Sequence, residues 1–175
     1  EKIASDIVSA ADDGTIEGAW GSGNIDDEGN PTARNMLITN GVLTSYLVDS
    51  FNGRRMNEPG NGACRRESYR YEPTSRMSNT FILNGKSTPE EIIANTKYGL
   101  YAKNMGGGSV NPATGEFNFA VNEGYIVENG KIKYPVKGAT LIGSGKEVLL
   151  NIDMVGNDLL RAQGMCGAAS GSLPA

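Results

Sequence analysis

The sequence predicts an α+β fold dominated by antiparallel β-sheet. Three observations lead to it. The chain carries 24 glycines in 175 residues, which favours many turns over long helices. Asn-Gly pairs sit between apolar runs, a strong short-range hairpin signal. Helix start signals occur at only two places. Hairpin connections imply antiparallel pairing, so about six to eight short strands and two helices are expected.

Taken in order, residues 1–24 read as irregular, because DDGT (12–15) and GSGN (21–24) are turn sequences. DDEGNP (26–31) is a further turn. Met36-Leu37-Ile38 and Val42 to Val48 are apolar runs joined through Asn40-Gly41, which reads as a hairpin. Residues 57–68 form a polar, Gly-rich loop. Met77 to Leu83 reads as a strand stopped by Asn84-Gly85. Thr88, Pro89 and Glu91 supply an N-cap, an N1 proline and a capping-box partner for a helix over about 89–97. Phe117, Phe119 and Val121 alternate as on a half-buried strand. Asn129-Gly130 marks a second hairpin, and 139–142 is a further strand. Ser144 and Glu147 form a second capping box, and Val148, Leu149, Ile152 and Val155 recur at helical spacing, giving a helix over about 145–155 that Gly156 ends. Residues 168–175 read as irregular. The chain is read as one domain, 1–175.

Composition removes several functions. The chain has no histidine, so a Ser-His-Asp or Cys-His nucleophile and a His-based zinc site are impossible within it. Its formal charge of −4 and pI of about 4.9 lack the basic excess of a nucleic-acid binder. No apolar run approaches the roughly 18 residues that span a bilayer, and no membrane partner is expected. Two cysteines far apart do not make a disulfide scaffold, and reduced thiols in a cytoplasmic protein are expected. The start at Glu1, without a signal-peptide pattern, and the end at SLPA suggest a piece of a longer protein.

Four features invite chemistry. Gly106-Gly107-Gly108 resembles a phosphate cradle in composition only, since an Asn-Pro turn and a strand follow where a helix is needed. A tight bend, or close approach of another backbone such as a peptide ligand, fits better. Asp26-Asp27-Glu28 lacks Ca-loop spacing and reads as a solvated turn. Arg66, beside Arg65 and Glu67, could grip a peptide carboxylate or lie in a surface salt bridge. Cys166, in Gly164-Met165-Cys166-Gly167, is either a small buried side chain or a metal ligand.

IDDEG (25–29), TSRMSNTFI (74–82), the long stretch from Ser87 to Ile132, PVKGATLIG (135–143), IDMVGNDL (152–159) and GMCG (164–167) together resemble the TldD/PmbA metallopeptidase family. The likeness covers nearly the whole chain. It implies a separate N-terminal domain with an HExxxH motif, whose histidines bind zinc and whose glutamate is the general acid/base. It implies that the cysteine at Cys166 is the third protein ligand, a residue that PmbA-type, non-catalytic members lack. The HExxxH half is absent here, and the chain stops before the closing segment usual in the family.

The resemblance therefore implies a zinc-dependent peptidase acting on unfolded peptides or small proteins. Cys166 would be the metal ligand, Gly106, Gly107, Gly108 and Arg66 the substrate surface, and a dimer with a family member the assembly. A non-catalytic assembly domain and a sheet-based binding module are the rivals. The family's gyrase-modulator label finds no support for nucleic-acid contact in an acidic chain. The piece alone is expected to hold no zinc. It should cleave no unfolded peptide with or without added zinc, and chelator-sensitive turnover by it in a peptide-cleavage assay would contradict a ligand set divided between two domains.

Overall fold

The computed structural model describes all 175 residues and divides them into two compact units. One holds Glu1, Ser9–Leu83 and Leu160–Ala175; the other holds Lys2–Val8 and Asn84–Leu159. Named strands pair antiparallel throughout, as the hairpin signals require.

The first unit contains β1 (Ala10–Asp13), β2 (Arg34–Thr39), β3 (Val42–Leu43), α1 (Ser50–Met56), β4 (Cys64–Arg65), β5 (Thr74–Ser75) and β6 (Thr80–Ile82). Its main sheet has the order β3-β2-β1-β6, and β4 pairs with β5. Asn40 and Gly41 turn β2 into β3 with positive φ of 47° and 79°, the left-handed pair that Asn-Gly tolerates. The expected run to Val48 is cut to two residues, because Thr44 already bonds back to Leu37 O and Met36 O and the chain then turns toward α1.

Residues 1–24 are not irregular throughout. All four residues of β1 are buried at the centre of the sheet. Aspartate is depleted in strands, which hid this one. Asp12 is tolerated because its carboxylate accepts from Ser78 N (2.7 Å), Ser78 Oγ (2.6 Å) and Thr80 Oγ1 (2.6 Å). Helix α1 was also unforeseen; Asp49 caps it by accepting from Asn52 N at 2.8 Å.

The second unit contains α2 (Pro89–Asn95), β7 (Tyr98–Val110), β8 (Glu116–Glu128), β9 (Lys131–Val136), β10 (Thr140–Ser144) and α3 (Gly145–Leu150). β8 is central: β7 runs along one side, while β9 and β10 follow one another along the other. Both halves of the Thr88–Glu91 capping box form. Asn129 and Gly130, at φ of 50° and 73°, make the β8–β9 turn. The second helix is shorter than the expected 145–155. Ser144 makes no side-chain cap, and Asn151 closes the helix by bonding Glu147 O through both its backbone and its side chain. Residues 155–157 are then drawn into extended pairing with 85–87, through Gly85 N to Gly156 O (2.8 Å) and Asn157 N to Ser87 O (2.9 Å).

The chain returns to the first unit as the hairpin of β11 (Met165–Ala168) and β12 (Gly171–Pro174), whose second strand occupies the 168–175 stretch expected to be irregular. The core of this unit is small and part polar: Ala10, Ala11, Ile38, Val48, Ala63, Cys64 and Leu173 lie among buried Asp12, Asp26, Asp49, Arg76 and Ser170.

Asp49 makes that polar core sensitive to acid. Burial opposes its ionisation. Hydrogen bonds from Asn52 N, the Ser75 hydroxyl, the Asn52 amide and Ser75 N outweigh burial and hold the carboxyl well below the usual carboxylate range. In the unfolded chain the group titrates near its ordinary value of about 3.9. The unfolded state thus binds the extra proton first, and Asp49's contribution is full above about pH 4 and lost as pH falls below it. Asp49→Asn should cost about 1–3 kcal/mol in urea denaturation at about pH 7. Its deficit should shrink toward about pH 2–3, and a deficit independent of pH would contradict this account.

Candidate functional site

Cys166 lies on β11, opposite Leu173 of β12. Directly opposed residues share a sheet face, so the half-buried thiol stands beside a buried leucine at the edge of the core. A two-stranded hairpin is marginal by itself. This one is fixed from outside by three side chains. The Arg76 guanidinium, 5% exposed, donates through Nη1 to Ser170 Oγ (2.6 Å) and Gly171 O (2.9 Å) and through Nη2 to Cys166 O. Arg65 Nη1 donates to Pro174 O (3.0 Å) and to Met77 O (2.5 Å). Ser172 N donates to Glu67 Oε2 (2.7 Å), and Glu67 N donates to Ser170 O (2.9 Å). Gly171 sits at φ 91°, and a Cβ there would collide with the Glu67 side chain.

The clamp is itself held. Arg76 N bonds Ala63 O at 2.8 Å, and β4 and β5 pair Cys64 with Ser75 and Arg65 with Thr74. Ser75 is bonded to Asp49, and Ser78 to Asp12. Burial lowers the Arg65 pKa, with nearby Arg76 acting in the same direction and Asp12 and Asp27 against it. Sequence reasoning missed Arg76, Arg65 and Glu67 as a set, because their hairpin partners lie 90 to 109 residues away.

Cys64, expected in a polar loop, is instead fully buried on β4. Burial, then the charges of Glu28, Asp49 and Asp26, push its thiol up to about 12. Asp26 is likewise no solvated turn residue: it is buried and accepts from Glu28 N, Asn30 N and Cys64 N. Arg66 takes the salt-bridge role, with Nε 3.6 Å from Asp27 Oδ1 and its backbone N donating to Asp27 Oδ2.

Gly106, Gly107 and Gly108 belong to β7 of the second unit, where the register with β8 slips between Met105 and Gly108. A Cβ at Gly106 would press on the Asn122 side chain, and one at Gly108 would strike Asn118 O, so both glycines serve close approach of β8. Gly107 faces open space. Nearby on the same hairpin, Glu123 accepts from Lys103 (2.8 Å) and from Tyr125 (2.7 Å), and Tyr125 stacks on Tyr101. An open groove between β8, β10 and α3 is lined by Glu116, Phe117, Asn118, Ile142 and Glu147.

No three His, Cys, Asp or Glu residues converge to hold a metal ion. Cys166 is a free, half-exposed sulfur on a backbone that is hydrogen-bonded in place, and a sulfur of this kind has the chemistry of a zinc ligand.

Residues 1–172 match the family model described as "PmbA/TldA metallopeptidase C-terminal domain". A Metalloprotease TldD homolog of Buchnera aphidicola subsp. Schizaphis graminum is 48% identical over 176 residues, covering 99% of this chain and 36% of the relative. A Zinc metalloprotease TldD homolog of Saccharolobus solfataricus is 33% identical over 141 residues, 81% of this chain and 32% of the relative. The crystal structure of TldE from Thermococcus kodakarensis superposes with a TM-score of 0.77 at 26% identity, over 99% of this chain and 39% of that one. The chain thus spans about a third of the length of these relatives.

The two thiols should separate in a labelling assay. A disulfide reagent at about pH 8 should modify one thiol per folded chain, Cys166, and reach Cys64 only on unfolding. Equal, rapid modification of both would contradict the burial of Cys64.

Proposed function

The chain belongs to the PmbA/TldD metallopeptidase family, and from that membership we propose that it is the β-rich C-terminal part of a zinc-dependent peptidase acting on unfolded peptides or small proteins. The observation that carries the proposal is Cys166, a free thiol at the core's edge on a clamped hairpin. Its role is to supply one thiolate to a zinc ion whose other ligands lie outside this chain. Zinc, when bound, supplies Lewis acidity to the scissile carbonyl and to a water. This chain's own contribution is to hold the sulfur in place and to bind substrate.

For substrate binding, the outer edge of β7 has no strand partner. An extended peptide could add there through main-chain hydrogen bonds, which suits broad specificity. Gly107 has open space where a Cβ would stand, so the face of the sheet is uncovered there. Arg66, paired with Asp27, would reach a peptide carboxylate only by leaving that pair. A second reading, a domain that only binds a partner chain, draws on exposed Tyr98, Val110, Tyr134 and Ile142 of the β7–β10 sheet. The dimer implied by the family is compatible with either reading. No helix is long and apolar enough to cross a membrane.

The test uses the full-length protein. Cys166→Ala should lose zinc and nearly all peptide turnover while its circular dichroism stays native, because one of three protein ligands is gone. Cys64→Ala should keep zinc and turnover and cost about 1 kcal/mol of stability from the buried site. Full zinc and full turnover in Cys166→Ala would overturn the ligand assignment.

A further inference from the structure

We propose that Arg76 is the positioning residue for Cys166: its buried guanidinium fixes the hairpin backbone at the cysteine and so sets the site's affinity for the metal. The inference rests on Cys166 being a zinc ligand. It adds a residue 90 positions away in sequence, with no chemistry of its own at the metal.

The geometry is specific. Of the three clamping side chains, Arg76 reaches both strands and the turn, through Cys166 O on β11, Gly171 O on β12 and Ser170 Oγ between them. Arg65 holds the far end of β12, and Glu67 holds the turn and Ser172. Only the Arg76 bond is to the residue that carries the thiol. A planar guanidinium presents several donors in a fixed fork, so three acceptors on one rigid group define the hairpin's position and tilt. Charged donors to neutral oxygens are among the stronger hydrogen bonds, and burial shields them from competing water. Ser170 is fully buried and Arg76 nearly so, which makes this a built contact. The anchor point is equally fixed: Arg76 N bonds Ala63 O, and its neighbours Ser75 and Ser78 are bonded to buried Asp49 and Asp12. Removing a group that holds a metal-ligating side chain typically costs about 10- to 100-fold in metal affinity, and Arg76 holds the residue that carries the thiol through its carbonyl.

Arg76→Lys keeps the charge but loses the fork. Ser170→Ala is milder and removes one of the three acceptors. Both are made in the full-length protein, beside Cys166→Ala. Three quantities are read: the zinc dissociation constant by competition with a chromophoric chelator, the thiolate-to-cobalt charge-transfer absorption of the cobalt-substituted protein, and the thermal midpoint of the metal-free protein. Arg76→Lys should weaken zinc binding by about 10- to 100-fold and diminish the charge-transfer band, with Ser170→Ala changing both in the same direction by less. A folded Arg76→Lys with wild-type zinc affinity and band overturns the proposal. If Arg76→Lys does not fold, Ser170→Ala decides by the same rule. A loss of thermal midpoint alone, with affinity and band unchanged, shows a purely structural arginine and also overturns it. Wild-type zinc binding by Cys166→Ala would show instead that the ligand reading has failed, and the proposal would fall with it.

Discussion

The Arg76 guanidinium, buried between β5 and the β11–β12 hairpin, is the interaction on which the candidate site depends. Burying a charged group is costly unless its donors are satisfied. Here Ser170 Oγ, Gly171 O and Cys166 O accept from it, so the hairpin and the arginine need one another. Without the arginine, carbonyls of the hairpin face the protein unpaired. Without the hairpin, a cation is stranded in the interior. The placement of Cys166 is therefore a tertiary property, created when the end of the chain docks on residues 63–78.

The same logic runs through the rest of the first unit. Its core has few large apolar side chains, and much of its order comes from buried carboxylates that accept backbone amides. Asp12 gathers Ser78 and Thr80, Asp49 gathers Asn52 and Ser75, and Asp26 gathers Glu28, Asn30 and Cys64. Of these partners Cys64, Ser75 and Ser78 lie within two residues of Arg65 or Arg76. A polar core of this kind specifies geometry more tightly than it adds stability, because a half-satisfied network is worse than an apolar one. That is a suitable support for a metal ligand, which needs its position held to a fraction of an ångström.

Local signals were legible in the sequence and distant ones were not. Both Asn-Gly turns, the Thr88–Glu91 capping box and the alternation through Phe117 and Val121 report on neighbours a few residues away, and the structure has all of them. The second helix was overextended because apolar spacing through Val155 cannot reveal that residues 155–157 pair with 85–87. β1 was read as turn because Asp12-Asp13 breaks strand propensity; the Ser78 and Thr80 contacts make Asp12 acceptable there, and Thr15 satisfies Asp13. α1 carried one readable cue, the Asp49 cap, against Gly53 within the helix. At the site, Cys166 stood out through its flanking glycines and the family likeness. Its arginine clamp was not legible as a clamp: Arg76 lies in TSRMSNTFI, a segment of the family likeness, but nothing near it in sequence tells that it bonds residues 166–171.

The central claim is that this chain brings one sulfur to a zinc ion through Cys166. The most direct measurement is zinc-edge X-ray absorption on the zinc-loaded full-length protein, alone and as Cys166→Ser. A single sulfur scatterer at about 2.3 Å in the wild type, replaced by a nitrogen or oxygen shell in the variant, is the predicted result. A shell of nitrogen and oxygen alone in the wild type, or a sulfur that persists in Cys166→Ser, would contradict it.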